Sequence, residues 1–173
     1  IWHCKEEKAF VRLRGWPISE GRAMTWSPNS ARLAFVATHN TVSIWNIHEQ
    51  RSEEALLVTG HLQGIAWAPD GQTLAACVYD GWVQTWDTST YRQKSVYRTI
   101  FPETSCLCWS PDSQRLITSE SHQSLQIWSV KHETALATIY DQGGIVHDVQ
   151  YAANATFFAS AIADTTVRIW KGR

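Results

Sequence analysis

Two thiols two residues apart, Cys106 and Cys108, are the nearest this sequence comes to a metal-ligand pair. A tetrahedral site needs a second close pair of Cys or His, and none accompanies them. The four cysteines therefore read as small apolar fillers in a reducing, cytoplasmic compartment, not as a metal centre or a disulfide framework. The seven histidines are scattered through predicted turns. Two of them, His39 and His122, share a position with Asp80 and Asp164, for each of the four lies six residues before a tryptophan. An aspartate there can accept hydrogen bonds from the amides of a tight turn; a histidine there is a plain turn residue or part of a contact surface. No Gly-rich phosphate loop, His-Glu-x-x-His, Gly-x-Ser-x-Gly or motif-placed pair of carboxylates occurs. These residues predict neither an enzyme nor a bound cofactor or metal. Asn154-Ala155-Thr156 matches a glycosylation acceptor, a tripeptide that arises by chance, and nothing else argues secretion.

The elements that hold these residues repeat. One anchor reads Trp26-Ser27-Pro28-Asn29-Ser30, Trp67-Ala68-Pro69-Asp70-Gly71, Trp109-Ser110-Pro111-Asp112-Ser113 and, decayed, Tyr151-Ala152-Ala153-Asn154-Ala155. A second lies nineteen residues on: Val42-Ser43-Ile44-Trp45, Val83-Gln84-Thr85-Trp86, Leu125-Gln126-Ile127-Trp128 and Val167-Arg168-Ile169-Trp170. The closing tryptophans are 41, 42 and 42 residues apart, and Ile1-Trp2 reads as one more closing anchor. Eight of ten tryptophans are anchors, which leaves Trp16 and Trp82 outside the pattern.

Between anchors the texture is period-two alternation broken by turn residues, a strand signal. The third copy predicts strands over 106–109, 115–119, 124–128 and 135–140, and the others follow, with fourth strands near 9–14, 55–58 and 95–99. Such a meander cannot bury both faces alone, whereas units stacked around an axis cover each other, so a period near 42 points to a propeller. The Trp-Ser-Pro-Asp turns and Ile-Trp closings resemble WD40 repeats over essentially the whole chain. The family's closing Trp-Asp survives only as Trp86-Asp87, with Asn46, Ser129 and Lys171 elsewhere, and its Gly-His pair only as Gly60-His61. The resemblance implies an aspartate in the turn before each closing Trp; two copies carry histidine instead, so the polar network is expected to be partial and apolar packing to dominate.

The expected fold is all-β, one segment over 1–173 made of four blades of four antiparallel strands. In the family the outermost strand precedes the next inner strand, so residues 1–15 are expected to hold an orphan outer strand that completes the last blade of the same or a partner chain. Three assemblies are open: a homodimer of two copies forming an eight-bladed ring, a fragment of a larger propeller, and a closed four-bladed ring. The missing initiator Met and the opening inside a repeat favour a piece of a longer protein.

Net charge is −1 with both signs spread evenly, which offers no footprint for phosphate binding and argues against nucleic acid. No run approaches eighteen apolar residues, which argues against a membrane span. Binding of protein or peptide remains. Loops entering each inner strand and turns between second and third strands should emerge on one face of the disc, and the Ser-Pro-Asp turns on the other. The first face gathers the candidate binding residues Trp16, Arg22, His39, His61, Tyr79, Trp82, Phe101 and His122, aromatic and arginine anchors being favoured at interfaces. Trp82 stands out, occupying a turn position that the other copies give to Thr41, Ser124 and Thr166.

Overall fold

A computed structural model describes residues 2–3, 8–9, 11–13, 24–120, 123–140 and 143–172. The turn chemistry fixes the architecture. In each copy the fourth residue after the inner-strand anchor adopts a left-handed backbone: Ser30 (φ 58°), Gly71 (φ 76°), Ser113 (φ 58°) and Ala155 (φ 57°). Ser27 and Ser110 then close the turn, their hydroxyls accepting the amides of Arg32 and Arg115 at 2.9 Å each. The chain reverses at the same place four times, and antiparallel ladders follow.

The first blade is β3 (Met24–Trp26), β4 (Arg32–Thr38), β5 (Thr41–Asn46) and β6 (Arg51–Leu57). The second is β7 (Leu62–Trp67), β8 (Thr73–Val78), β9 (Trp82–Asp87) and β10 (Gln93–Arg98). The third is β11 (Leu107–Trp109), β12 (Arg115–Glu120), β13 (Ser124–Ser129) and β14 (Thr134–Ile139). Each is a four-stranded antiparallel meander in sequence order. The fourth sheet has three strands among the described residues, β15 (Val146–Tyr151), β16 (Phe157–Ile162) and β17 (Val167–Lys171). The all-β blade fold expected from the repeats is the fold observed.

Among the described residues of the span 9–14, Ala9 lies in a strand, β2 (Lys8–Ala9), which pairs with β1 (Trp2–His3), and 11–13 form no ladder. Trp2 sits opposite Ala9 as Trp128 sits opposite Ala135, so this two-residue ladder has the register of a third-to-fourth-strand hairpin. Among the described residues no ladder joins β2 to the last sheet.

Alternation gives each blade two apolar faces, and the core lies between blades. Val42, Ile44, Ala34 and Val36 of the first blade pack against Leu62, Ile65, Trp67 and Trp86 of the second. The next interface joins Ala75, Cys77, Val83 and Tyr97 to Leu107, Trp109 and Trp128. The third joins Ile117, Leu125 and Cys106 to Val146, Val149 and Phe158. Inner strands are also tied across the interfaces: the Trp67 amide donates to Thr25 Oγ1 (3.3 Å) and the Tyr151 amide, at the same register, to Cys108 Sγ (3.3 Å).

Candidate functional site on the loop face

The chemistry-bearing residues divide by environment. Cys77 and Cys106 are buried between blades; burial pushes the Cys77 thiol well above its ordinary range and the Cys106 thiol up to about 12, so neither is a nucleophile near neutrality. Cys108 faces the same interface as Cys106, which fits the apolar-filler reading. Among the described residues no three His, Cys, Asp or Glu side chains are grouped to hold a metal ion, and no helix is long and apolar enough to cross a membrane.

The turns between second and third strands adjoin the connections entering the next blade. The Leu62 amide donates to the His39 carbonyl (2.8 Å), and the Glu103 amide to the Tyr79 carbonyl (2.6 Å). His61 is brought to the same edge, its carbonyl accepting the Tyr79 amide (2.9 Å) and its ring lying 6.1 Å from that of His39. Five of the eight candidate residues, His39, His61, Tyr79, Trp82 and Phe101, thus line the seam of the first three blades. Trp16, Arg22 and His122 lie outside the described residues.

Tyr79 is exposed and donates from its hydroxyl to Glu103 (2.7 Å), a bond that raises the phenol above its ordinary range. Phe101 is half-buried in the connection 99–106. Gly81 pins that connection: its carbonyl accepts the Thr99 hydroxyl (2.8 Å) and amide (2.9 Å), and its φ of 77° with Thr99 Oγ1 2.7 Å from any added Cβ demands glycine. Trp82, expected to stand clear of the core, is half-buried against the apolar cluster between the first two blades, because the β9 register turns residues 82, 84 and 86 toward the first blade. Its exposed side carries the Arg98 guanidinium 5.1 Å above the ring. Beside it a cleft of about 220 Å³ is lined by Thr59, Trp82, Gln84, Gln93 and Val96.

Several functional bonds were not foreseeable from the anchors. The closing tryptophans of the last two blades donate from Nε1 to hydroxyls on the second strand, Trp128 to Thr118 (2.9 Å) and Trp170 to Ser160 (3.0 Å). The first two blades have Phe35 and Ala76 at that register, and Trp45 Nε1 is buried without a partner. Asp164 serves its own turn as expected, accepting the Thr166 amide (3.0 Å) and hydroxyl (2.6 Å).

Comparison with known proteins follows this geometry. A family profile described as WD domain, G-beta repeat matches residues 134–171, and one described as Eukaryotic translation initiation factor eIF2A matches residues 5–131. This chain belongs to the WD40-repeat family. It belongs as well to the eIF2A family, whose profile covers more than half of the chain, whereas the WD40 profile matches residues 134–171. Similar proteins include the WD repeat-containing protein AAC3 of Dictyostelium discoideum, 22% identical over 94% of this chain and 35% of that protein. Another is Periodic tryptophan protein 2 of Arabidopsis thaliana, 24% identical over 98% of this chain and 19% of that protein. The WD40 chain thus spans about a third and a fifth of their lengths. The first of these relatives carries WD repeats in its name.

Proposed function

We propose that this WD40-repeat segment is a non-catalytic, cytoplasmic scaffold that binds protein or peptide through its loop face, using Tyr79, Trp82 and Phe101 as aromatic anchors with His39 and His61 at the rim. The observation that carries the reading is that residues 79–82 present an exposed Tyr79 bonded to Glu103 and a half-exposed Trp82 with Arg98 over its ring, while Gly81 between them holds the connection 99–106 through Thr99. Rigid aromatic side chains beside an arginine are the composition of interface hot spots. A Tyr79→Ala, Trp82→Ala pair should lower affinity for a captured protein partner at least tenfold while Tyr79→Ala alone leaves the melting temperature within a degree or two; unchanged affinity would remove the loop face as the binding surface.

A second reading, self-association as half of a larger ring, is favoured by the two end faces. Positions equivalent to buried residues of inner blades are exposed there: Val167 (68%) and Ile169 (74%) on the last blade, Met24 (63%) and Trp26 (47%) on the first. Such faces invite another blade.

A further inference from the structure

The outer strands of the first three blades differ in charge. β6 carries one arginine and two glutamates, and its Arg51 is paired with Glu49. β14 carries no charge. β10 carries Lys94 and Arg98 with no carboxylate, and Arg92 precedes it. From Thr88 to Pro102 the sequence holds three cations and no anion, in a chain whose net charge is −1. All three are exposed, and among the described residues none of them is ion-paired, whereas Arg32, Arg51 and Arg168 each are. Lys94 donates to the Thr73 hydroxyl (3.3 Å) and Arg98 lies over the Trp82 ring, contacts that orient the two charges without neutralising them. Charges on an open edge can serve only to repel other strands. That role would first protect β14, whose edge is more apolar and exposes Leu136, yet β14 has no charge.

The backbone of β10 is open along the same edge. The Thr99 amide donates to the Gly81 carbonyl, which makes Thr99 and, two residues back, Tyr97 the inward-bonded positions of the β9–β10 ladder. Val96 and Arg98, the alternate positions opposite Gln84 and Trp82, therefore turn their amides and carbonyls outward. Their side chains share a face with Trp82 and Gln84, where the cleft of about 220 Å³ opens beside the exposed Val96. The cleft is firmly built: Gln84 accepts the Thr59 amide (3.2 Å) and donates to the Thr59 carbonyl (2.9 Å). We propose that the β10 edge docks an acidic, extended segment of a partner protein, which adds one more strand to the second blade. Run antiparallel to β10, the segment sets a carboxylate opposite Arg98, a small apolar side chain opposite Val96 at the cleft, and further carboxylates toward Lys94 and Arg92. Unneutralised cations select an anionic partner. The outward amides and carbonyls select a polypeptide, because a phosphate backbone has no alternating amide and carbonyl to pair with them. This edge shares only Trp82 with the loop-face reading and does not depend on it.

Fluorescence anisotropy with a labelled peptide, acetyl-Ser-Glu-Thr-Val-Thr-Glu-Glu-amide, should show saturable binding to the 173-residue chain. Lys94→Glu with Arg98→Glu should weaken binding at least about tenfold while the thermal melt stays near that of the parent, and a peptide with lysine for each glutamate should prefer the reversed chain. N-methylation of the peptide's first glutamate and valine amides, which leaves both its charge and the protein untouched, should also weaken binding about tenfold, because those amides pair with the strand edge. Absence of saturable binding overturns the proposal. So does binding indifferent to the charge reversal or to N-methylation. Poly-uridine RNA that binds more tightly than the peptide, and is lost in the reversed chain, would assign the patch to nucleic acid and overturn it as well. Tyr79→Ala leaves peptide binding unchanged, so failure of the loop-face reading is a separate result.

Discussion

At the scale of single residues, the closing tryptophans show what a repeated side chain costs when its environment is not repeated with it. Burying an indole N–H without an acceptor forfeits the hydrogen bond that water would make, on the order of 1–3 kcal/mol. Thr118 and Ser160 relieve this in the last two blades, whereas Trp45 in the first is unrelieved. Thr118 is fully buried. Thr118→Val keeps its volume and removes the acceptor, so it should lower unfolding stability by about 1–2 kcal/mol, read as a shift of the urea midpoint at constant slope; an unshifted midpoint would mean that the indole finds another acceptor. The anchors announced every closing tryptophan but not these partners, because an acceptor two positions along a neighbouring strand becomes visible only once the register of Trp128 opposite Leu116 is known. The same limit applies to Trp82, whose break from the hydroxyl pattern was plain in the sequence while its half-burial depended on the direction of β9.

At the scale of elements, the turn residues made the blades legible: Pro and Asp or Asn with a left-handed residue behind them recur at one spacing, and strand positions follow from the alternation between them. What stayed hidden is how one blade's outer strand grips the next. Glu53 on β6 accepts Tyr91 from the second blade (2.5 Å), Asn46 Nδ2 (2.5 Å) and Arg32 Nε (2.7 Å). Burial alone would raise this carboxyl, but the bonds from Tyr91 and Asn46 and the charge of Arg32 outweigh it and hold it below its usual 4.5. A depressed folded-state pKa stabilises the fold above the unfolded value and is lost as pH falls through the folded one. Asp87, brought down to about 2 chiefly by the Ser89 hydroxyl and by Thr90, acts in the same sense at lower pH. Stability should therefore be flat with respect to these groups between neutrality and about pH 5 and decline in more acid solution. Glu53→Gln should remove the first part of that decline, and Tyr91→Phe should cost about 1–2 kcal/mol at neutral pH and less once Glu53 is protonated. Equal costs of Tyr91→Phe at both pH values in a denaturant titration would show that the clamp does not run through the Glu53 charge.

At the scale of the whole molecule, the same side chain is core or surface according to where its blade stands in the row. Ile44 on the first blade and Ile169 on the last occupy one register position, and the first is fully buried where the second is exposed. A lysine at a core position leaves a charge without a partner, a mechanism of the largest single-site losses, about 4–5 kcal/mol or more, whereas substitutions on a surface mostly stay within about 0.5 kcal/mol. Ile44→Lys should therefore abolish cooperative folding. Ile169→Lys should leave the melting temperature of the dilute chain near that of the parent. If a second copy covers this face, mass action makes the parent's melting temperature rise with protein concentration, and Ile169→Lys should flatten that rise, because the lysine is desolvated only in the pair. Melts recorded across two decades of concentration separate the cases. A parent curve independent of concentration would leave the end faces bare in solution, and a large loss from Ile169→Lys in the dilute chain would mean that the chain covers that face by itself.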